Sequence, residues 1–282
     1  MNRAQHAAER ACTEWQLPSP YLIRSGMSSL YLAGDVAVRV VNGVSFAPRV
    51  LWLAEALAER GVAVARHVQQ PLEVDGCTVF GLERLVEVGR VNWRAVGEMV
   101  RRVHDWPADE VSPHHPLPRA SEFPWWQAPT MLAEMHTLLD DAARDGLVEA
   151  ITQHGGWRDR SDRPVVCHGD VHPGNVLQSP DGPVLLDWDL LCLAPAAWDH
   201  APLLTWEQRW GGEAGAYHEF AAGYGADLRA DPLAQSLAVM RNVAATLMRL
   251  RAGRSDPSAA AEAQRRLAYW RGEPDAPQWL AM

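Results

Sequence analysis

The segment VVCHGDVHPGNVLQSPDGPVLLDWD, residues 165–189, decides how the rest of the chain is interpreted. Apolar runs at its two ends bracket a set of polar side chains, and a Pro-Asp-Gly tripeptide at 180–182 is typical of a turn. The runs on either side of that turn, 176–179 and 183–186, are therefore predicted to pair as an antiparallel hairpin.

The register of this hairpin predicts a metal site. If the residues that flank the turn face each other, Asn175 lies opposite Asp187, and facing residues of an antiparallel pair have Cβ atoms about 4.5–5.5 Å apart. Asp170 precedes Asn175 across a Pro-Gly bend that can turn its carboxylate towards the same point. Oxygen ligands of this kind suit Mg²⁺, and an uncoordinated aspartate beside it can accept the proton of an attacking hydroxyl.

The same segment also fits a different metal. His168, Asp170 and His172 alternate along the chain, so one face of a strand could bind iron or zinc, and the pattern is that of non-haem iron oxygenases. A distant histidine, His200 or His218, would complete that site. However, a proline-glycine pair ends any such strand, and the mainly helical second half of the chain is unlike the usual β-barrel host. The iron site therefore stays the alternative interpretation.

The first third of the chain is predicted to be a small α+β unit. Apolar runs on both sides of a Gly34-Asp35 turn predict a hairpin. A one-sided apolar stripe predicts a helix from about Phe46 to Arg60, which Gly61 ends. Two more strands are predicted at 63–69 and 77–82.

The rest of the chain mostly has the apolar period of helices. Asn92 is a good N-cap for the first of them, which carries Trp93 and Val96 on its apolar side. Further helical stripes cover 131–142, 217–224 and 233–247.

Two proline-rich stretches, 107–129 and 272–277, are predicted as surface loops. After Leu85 the apolar spacing changes from that of strands to that of helices, which favours a boundary between two lobes at this point. We therefore predict an N-terminal lobe over 1–85 and a C-terminal lobe over 86–282.

The composition limits the chemistry that the chain can perform. Its 282 residues carry a formal net charge of −9, and all 26 positive side chains are arginine. Without lysine, Schiff-base catalysis is excluded, and phosphate must be bound by arginine or by backbone amides. The acidic balance disfavours nucleic acid as a partner and tolerates a cationic substrate.

Four scattered cysteines indicate neither a zinc site nor a disulfide framework, which fits a reducing cytoplasm. The N-terminal segment lacks the apolar core of a signal peptide, and no run of about 18 apolar residues follows. We therefore expect a cytoplasmic protein without a membrane span.

Three motifs give the chain a family resemblance. HGDVHPGN at 168–175, LLDWD at 185–189 and PAAWD at 195–199 resemble the aminoglycoside phosphotransferase and choline-kinase-like families, which are relatives of protein kinases. The central motif has the kinase-type spacing H-x-D-x-x-x-x-N, followed by an aspartate after an apolar strand. The resemblance runs from about Ser25 to Asp199.

This resemblance implies a protein-kinase-like two-lobe fold of the α+β class. Its smaller N-terminal lobe would hold an antiparallel sheet and a helix, and its larger C-terminal lobe would be mainly helical. It implies Asp170 as the catalytic base and Asn175 and Asp187 as magnesium ligands. His168 would brace the catalytic loop, and Asp199 would be a structural anchor.

For the nucleotide, the resemblance implies residues of the N-terminal lobe. Arg39 stands where the family has a phosphate-contacting lysine, Ser28 and Ser29 belong to the loop that would cover the phosphates, and Glu83 and Leu85 belong to the hinge that would bind adenine through its backbone. Arginine can form two hydrogen bonds to phosphate oxygens but is not equivalent to lysine.

The following helix also departs from the family pattern. The glutamate that partners the family's lysine aligns with Val50, and the nearest acid, Glu55, falls on a different face of the helix. The two changes bear on ATP affinity.

The resemblance implies an ATP- and Mg²⁺-dependent O-phosphotransferase acting on a hydroxyl of a small molecule, as a monomer or homodimer. An antibiotic of the aminoglycoside or nucleoside type is the expected acceptor. Alternatives are a metabolite kinase acting on a sugar or amino alcohol, and a non-catalytic nucleotide-binding pseudokinase, which Arg39 and Val50 would favour. Asp170, Asn175 and Asp187 together favour catalysis.

Several aromatic and acidic residues are candidates for contacting the acceptor. Trp125 and Trp126 lie in a proline-flanked segment, and Trp206 and Glu207 follow the predicted metal site. A flat ring can stack on tryptophan, and a cationic amine can lie over it, with Glu207 or Asp189 supplying negative charge.

Overall fold

The computed structural model describes residues 3–26, 28–43, 47–160 and 163–280. Its contacts divide the chain into two compact units. The first comprises 1–91 with 177–186, and the second comprises 92–176 with 187–282. The predicted lobe boundary after Leu85 stays a prediction, and the sequence did not indicate that 177–186 belongs with the first unit.

The first unit contains the predicted antiparallel sheet, which has five strands. Its strands follow the order β1-β2-β3-β5-β4 across the sheet. Buried and partly exposed residues alternate along β2 and β3, so one face of these strands lies in the core. The predicted Gly34-Asp35 turn is confirmed, and Gly34 has the positive φ of 64° that such a turn favours. The strands are β1 Tyr21–Ser25, β2 Ser28–Ala33, β3 Val36–Asn42, β4 Leu72–Val74 and β5 Cys77–Glu83.

Two helices accompany the sheet. Helix α1 (Arg3–Glu14), which was not predicted from the sequence, packs on β3, β4 and β5 through small buried residues. Alanine contributes little apolar area, so the stripe is inconspicuous in the sequence. The second helix, α2 (Ala47–Glu59), confirms the predicted one, although Phe46, its predicted start, lies outside the described residues.

The strand predicted at 63–69 is wrong. Only a single bridge, between His67 and Leu82, forms there. Val68 and Gln69 both donate backbone hydrogen bonds to the same carbonyl, that of Gly81, so the segment does not continue as a ladder. The strand that pairs with the outer side of β5 is instead β4, and an Asp-Gly turn at 75–76 connects the two.

The second unit is mainly helical. Its large core joins α10 to the segments around the 165–189 motif. Asn92 caps α3 as predicted, accepting a hydrogen bond from the Ala95 N–H at 3.1 Å. The helices are α3 Trp93–His104, α4 Ala108–Val111, α5 Ala128–Glu134, α6 Asp141–His154, α7 Ala197–Leu204, α8 Trp206–Trp210, α9 Ala216–Tyr224, α10 Pro232–Ala252 and α11 Pro257–Trp270.

Two expectations for this unit are wrong. The stripe at 131–142 is not one helix, because α5 ends at Glu134 and Asp140 caps the start of α6 through the Ala143 N–H. The proline-rich stretch 107–129 is not a plain surface loop. It forms α4 and two 3₁₀ turns, and four of its residues are buried: Val111, Ala120, Trp126 and Ala128.

Four short strands lie within the 165–189 segment or directly after it. β6 (Val165–Cys167) pairs with β9 (Cys192–Ala194), and β7 (Val176–Ser179) pairs with β8 (Gly182–Leu185). The predicted hairpin is therefore confirmed, while its residue-by-residue register stays a prediction. The Ser179 hydroxyl donates to the Gly182 carbonyl at 2.8 Å and closes the turn. In the described part of the chain, no helix is long and apolar enough to cross a bilayer.

Helices α3 and α9 approach each other through glycine. A Cβ built on Gly97 would lie 2.1 Å from the carbonyl oxygen of Phe220, and one on Gly223 would lie 1.8 Å from that of Arg94. Such distances are far below any van der Waals contact, so the pair of helices depends on the absence of these side chains.

We predict that Gly97→Ala destabilises the protein. Alanine normally favours a helix by about 1 kcal/mol over glycine, but the clash with the Phe220 carbonyl should reverse the sign and lower the free energy of unfolding by about 1–3 kcal/mol. Urea unfolding measures the change. Gly156→Ala is the matched control, because a Cβ added at Gly156 would meet nothing within 4 Å; equal stability of the two variants would contradict the close packing.

Candidate active site

The backbone of the HGDVHPGN segment is held by one buried carboxylate. Asp199, near the start of α7, is fully buried. Its two oxygens accept hydrogen bonds from the His168 N–H at 2.8 Å and the Gly169 N–H at 2.9 Å. Bonds from two successive amides fix the loop immediately before Asp170. The role of Asp199 as a structural anchor agrees with these contacts.

A second buried polar group supports Asp199 from α3. The Nε2 atom of His104 lies 3.1 Å from the Asp199 carboxylate, and its Nδ1 atom lies 2.9 Å from the Tyr224 hydroxyl. Burial alone would raise the pKa of Asp199, but the hydrogen bond and charge of His104, helped by the loop amides, lower it below the usual value. The charged form is thus the one that the fold stabilises.

Tryptophans pack behind the loop. The Trp198 Nε1–H donates to the Gly169 carbonyl at 3.0 Å, and the ring contacts those of Trp126 and Trp157. Trp126 is only 4% exposed, so it is a core residue and we do not propose it as an acceptor contact. Gly169 has a φ of 94°, and a Cβ there would lie 2.1 Å from the Leu190 carbonyl oxygen. Glycine is therefore required at this bend.

Asp170 presents a carboxylate that is held on both oxygens. The Asn175 Nδ2 atom donates to Oδ2 at 3.1 Å and to the Asp170 carbonyl at 3.0 Å. The His172 Nε2 atom lies 3.4 Å from Oδ2, while Oδ1 accepts from Arg241. The side chain of Asp170 stays 24% exposed, so a hydroxyl can still reach it.

The two histidines of the motif orient the loop. His168 is fully buried, and its Nδ1 atom accepts the Asp170 N–H at 3.2 Å. The His172 Nδ1 atom accepts the Gly174 N–H at 3.0 Å, so the ring proton of neutral His172 lies on Nε2, the nitrogen that faces Asp170.

Two oxygen-bearing side chains of the motif segment, those of Asn175 and Asp187, suit a magnesium ion. Because the Asn175 amide uses its NH₂ group on Asp170, its oxygen points elsewhere, and within the described residues that oxygen has no hydrogen-bond partner. Asp187 follows the second strand of the hairpin with a left-handed φ of 62°, a conformation that aspartate tolerates better than most residues. Amide and carboxylate oxygens suit Mg²⁺.

The iron alternative finds no support. The only group of three potential ligand side chains close together in the described ranges is His104, Cys167 and Asp199. Its members are already hydrogen-bonded, and burial raises the pKa of Cys167, which keeps the thiol protonated. His168, a ligand in that alternative, instead accepts the Asp170 N–H.

The nucleotide residues implied by the resemblance lie on the sheet of the first unit. The Arg39 Nε atom is 3.4 Å from the Ser28 hydroxyl, so two of them are brought together, and Ser29 is buried. Met27, between the two halves of the predicted phosphate loop, lies outside the described residues. Val50 is half-buried and Glu55 is exposed, as their different faces of α2 predict.

The residues of the predicted hinge differ in whether their backbone N–H groups are already hydrogen-bonded. The Glu83 carboxylate binds Arg66 at 2.6 Å, and its N–H donates to the Arg66 carbonyl. The Arg84 N–H donates to Asp35. Within the described part of the chain, the Leu85 N–H has no such partner, so it can bind another molecule.

The contacts of the remaining acceptor candidates are local ones. Trp125 stacks on Phe123 at 5.0 Å. Trp206 stacks on Trp210 at 5.7 Å, and the Glu207 carboxylate accepts the Gly215 N–H at 3.1 Å. Asp189 is exposed in the 3₁₀ turn after Asp187.

Comparison with known proteins decides the family. The family model described as "Phosphotransferase enzyme family" (APH) matches residues 47–233, which is more than half of the chain and includes the whole motif segment. The chain belongs to this phosphotransferase family. It is thus a small-molecule phosphotransferase. A search of curated protein sequences finds no match.

The fold of the phosphotransferase resembles several solved structures. A GDP and kanamycin complex of APH(2″)-IIIa is 17% identical, with a TM-score of 0.71 and coverage of 95% of this chain and 99% of that chain. Spectinomycin phosphotransferase APH(9)-Ia, in complex with ADP and spectinomycin, is 14% identical, with a TM-score of 0.65 and coverage of 93% and 94%.

A choline/ethanolamine kinase family protein from Mesorhizobium loti is 17% identical, with a TM-score of 0.61 and coverage of 97% and 94%. Likenesses at these identities concern the fold. They confirm the predicted protein-kinase-like fold of the phosphotransferase.

Three polar residues around the loop of the phosphotransferase escaped the sequence analysis. These residues, His104, Tyr224 and Arg241, lie 95, 25 and 42 residues from Asp199 along the chain. His104 and Tyr224 each fall on the apolar side of a predicted helix, where a polar residue is a signal for a buried hydrogen bond. Arg241 interrupts the stripe of α10 in the same way.

We predict that Asp199→Ala destabilises the phosphotransferase by about 3–5 kcal/mol, because it leaves buried His168 and Gly169 amides and His104 without their acceptor.

Asp199→Asn should cost less at acidic pH than at neutral pH. The pKa of Asp199 is lowered by folding, so its charge stabilises the fold above the unfolded pKa of about 3.9 and loses that effect as pH falls towards the folded pKa.

Urea unfolding of wild type and Asp199→Asn between neutral pH and about pH 3 checks the sign. A stability difference that grows as the pH falls would contradict a charged, stabilising Asp199.

Proposed function

We propose that the chain is an ATP- and Mg²⁺-dependent O-phosphotransferase that uses Asp170 as its general base. The observation that carries the proposal is the arrangement around Asp170: its carboxylate is oriented by donors on both oxygens, remains partly exposed, and shares Asn175 with a predicted metal site. A general base needs this combination of fixed geometry and access.

In the proposed reaction, a hydroxyl oxygen of the acceptor attacks the γ-phosphorus of ATP in line with the leaving oxygen. The O–H bond breaks and its proton passes to Asp170, a new phosphorus–oxygen bond forms, and the bond from the γ-phosphorus to the bridging oxygen breaks. ADP leaves with the electron pair of that bond, and the product is a phosphate ester. Asp170 then returns the proton to solvent.

Asn175 and Asp187 are proposed to hold the magnesium. When bound, the ion supplies positive charge that offsets the charge developing on the phosphate oxygens. Asn175 would serve both groups, because its NH₂ group orients Asp170 and leaves its oxygen available to a metal ion. Asparagine suits this position better than aspartate, because its side chain has both a donor group and an acceptor oxygen, whereas an ionised carboxylate only accepts.

For the nucleotide, we propose backbone contact at Leu85 and phosphate contact by Arg39, with Ser28 and Ser29 covering the phosphates and Glu83 keeping the hinge in place through Arg66. The neighbours solved in complex with ADP and GDP support a purine nucleotide. Arginine in place of lysine is compatible with this role, because its planar group can bind two phosphate oxygens. The N-terminal lobe over 1–85 is accordingly proposed as the nucleotide-binding part.

The acceptor is proposed to be a hydroxylated antibiotic of the aminoglycoside or nucleoside type. Neighbours solved with kanamycin and spectinomycin support this class. Trp125, Trp206, Glu207 and Asp189 remain the proposed contacts. A sugar or amino-alcohol metabolite is the second candidate, supported by the fold likeness to a choline/ethanolamine kinase family protein.

We predict that the wild-type protein, given ATP and Mg²⁺, adds one phosphate to at least one member of a panel of hydroxylated antibiotics and metabolites, followed by mass spectrometry. Asp170→Ala should lower the rate about 10²–10⁴-fold, because the proton acceptor is lost. Asp145→Asn, at an exposed aspartate of α6, is the matched control and should keep full activity.

Nucleotide binding without any phosphate transfer would instead favour the pseudokinase. Undiminished activity of Asp170→Ala would refute the assigned base.

A further inference from the structure

Arg241 brings a positive charge from a distant helix onto the proposed base. It lies in the middle of α10, 71 residues after Asp170, and its Nη2 atom donates to Asp170 Oδ1. Both side chains are largely buried, with exposed fractions of 21% for Arg241 and 24% for Asp170. Because the pair is partly shielded from water, its electrostatic attraction is stronger than that of a surface ion pair.

Arg241 completes the set of contacts that orient the carboxylate. Oδ2 already receives the Asn175 NH₂ at 3.1 Å and faces His172 at 3.4 Å. Among the described residues, Oδ1 has Arg241 as its donor. The last torsion of an aspartate side chain is soft and roughly two-fold, so contacts on one oxygen alone leave the plane of the carboxylate poorly fixed.

The backbone and the side chain of Asp170 are thus held by two adjacent helices. Asp199 on α7 binds the amides just before Asp170, and Arg241 on α10 binds its carboxylate. Helices α7 and α10 pack against each other in the core. The position of the carboxylate therefore depends on the packing of α10 as well as on the loop.

We propose that Arg241 is a positioning residue that fixes the plane of the Asp170 carboxylate for removal of the acceptor proton. The inference rests on the proposed function and extends it to a residue outside the HGDVHPGN, LLDWD and PAAWD motifs. Arg241 acts through Asp170, since a base whose carboxylate is rotated away from the hydroxyl loses the near-attack geometry on which the rate depends.

The chemistry of arginine suits this role. Burial lowers the pKa of Arg241 to about 10, which still leaves the side chain protonated at neutral pH. Its planar group gives directed N–H bonds, whereas lysine offers a point charge on a flexible chain. A buried charge is costly unless it is paired, so Arg241 and Asp170 each require the other.

The first test is kinetic and uses the full-length protein with MgATP. Turnover is followed with an acceptor from the screen and also as ADP release to water, which requires no identified acceptor. We expect Arg241→Gln and Arg241→Ala to lower kcat by about 10–100-fold while the KM for ATP changes little. Arg241→Lys should recover part of the loss. Guanidinium ion at tens of millimolar should restore Arg241→Ala, and sodium at the same ionic strength should not.

Arg251→Gln is the matched control, because Arg251 is an exposed arginine near the end of the same helix. It should behave as wild type. Wild-type kcat in Arg241→Gln would overturn the positioning role while leaving the proposed function intact. A wild-type protein that transfers phosphate neither to an acceptor nor to water would overturn the proposed function, and the positioning role with it.

The second test asks whether the ion pair exists in solution. Thermal unfolding is compared for Asp170→Asn, Arg241→Gln and the double variant. We expect the double variant to lose less in Tm than the sum of the two single losses, because each single change leaves one partner unpaired. Additive losses would show that the two side chains do not interact and would overturn the inference, whatever the kinetic result.

Discussion

The rest of the site depends on the hydrogen bonds that the buried carboxylate of Asp199 accepts. This carboxylate accepts hydrogen bonds from two successive amides of the loop and is itself supported by His104. A group buried this deeply is stable as a charge only when it is fully paired. The same contacts that make the burial of Asp199 possible therefore also fix the backbone from which Asp170 projects.

From this anchor, each further contact has a direct physical reason. Gly169 bends the chain where no side chain fits, His168 accepts the next amide, and Asn175 reaches back to Asp170. Arg241 then closes the arrangement from α10. The site is a network of hydrogen bonds in which a change at one member alters the geometry of the others.

The absence of lysine makes arginine responsible for every permanently charged cationic contact. By the family resemblance, Arg39 stands where a lysine is expected, and Arg241 donates a hydrogen bond to the Asp170 carboxylate. Arginine loses its proton less readily than lysine when buried. A lysine-free chain can thus keep charged contacts in partly buried positions.

Local patterns were sufficient for much of the fold. The hairpin at 176–185 and the Asn92 cap follow from turn chemistry and capping, which act over a few residues. The segment 63–69 was misassigned because its backbone bonds converge on one carbonyl of β5, and a strand pattern carries no information on its partner. Trp126 was placed at the surface because flanking prolines indicate a loop, whereas packing with Trp157 and Trp198 decides its burial.

The residues of the site also fall into two groups: those that a local motif identifies and those whose place depends on packing. Asp170, Asn175 and Asp187 could be selected from sequence because they belong to one short segment with recognisable spacing. Arg241 and His104 could not, because their contacts with the loop join distant parts of the chain and depend on how the helices pack.

The most direct test of the account is whether the three motif side chains have different roles. Electron paramagnetic resonance can measure Mn²⁺ bound with ATP to wild type and to the Asp187→Asn, Asn175→Ala and Asp170→Asn variants. We expect the first two variants to lose Mn²⁺ affinity by about tenfold or more, while Asp170→Asn keeps wild-type affinity. Equal loss in all three, or full affinity in Asp187→Asn, would contradict the division between metal ligands and base.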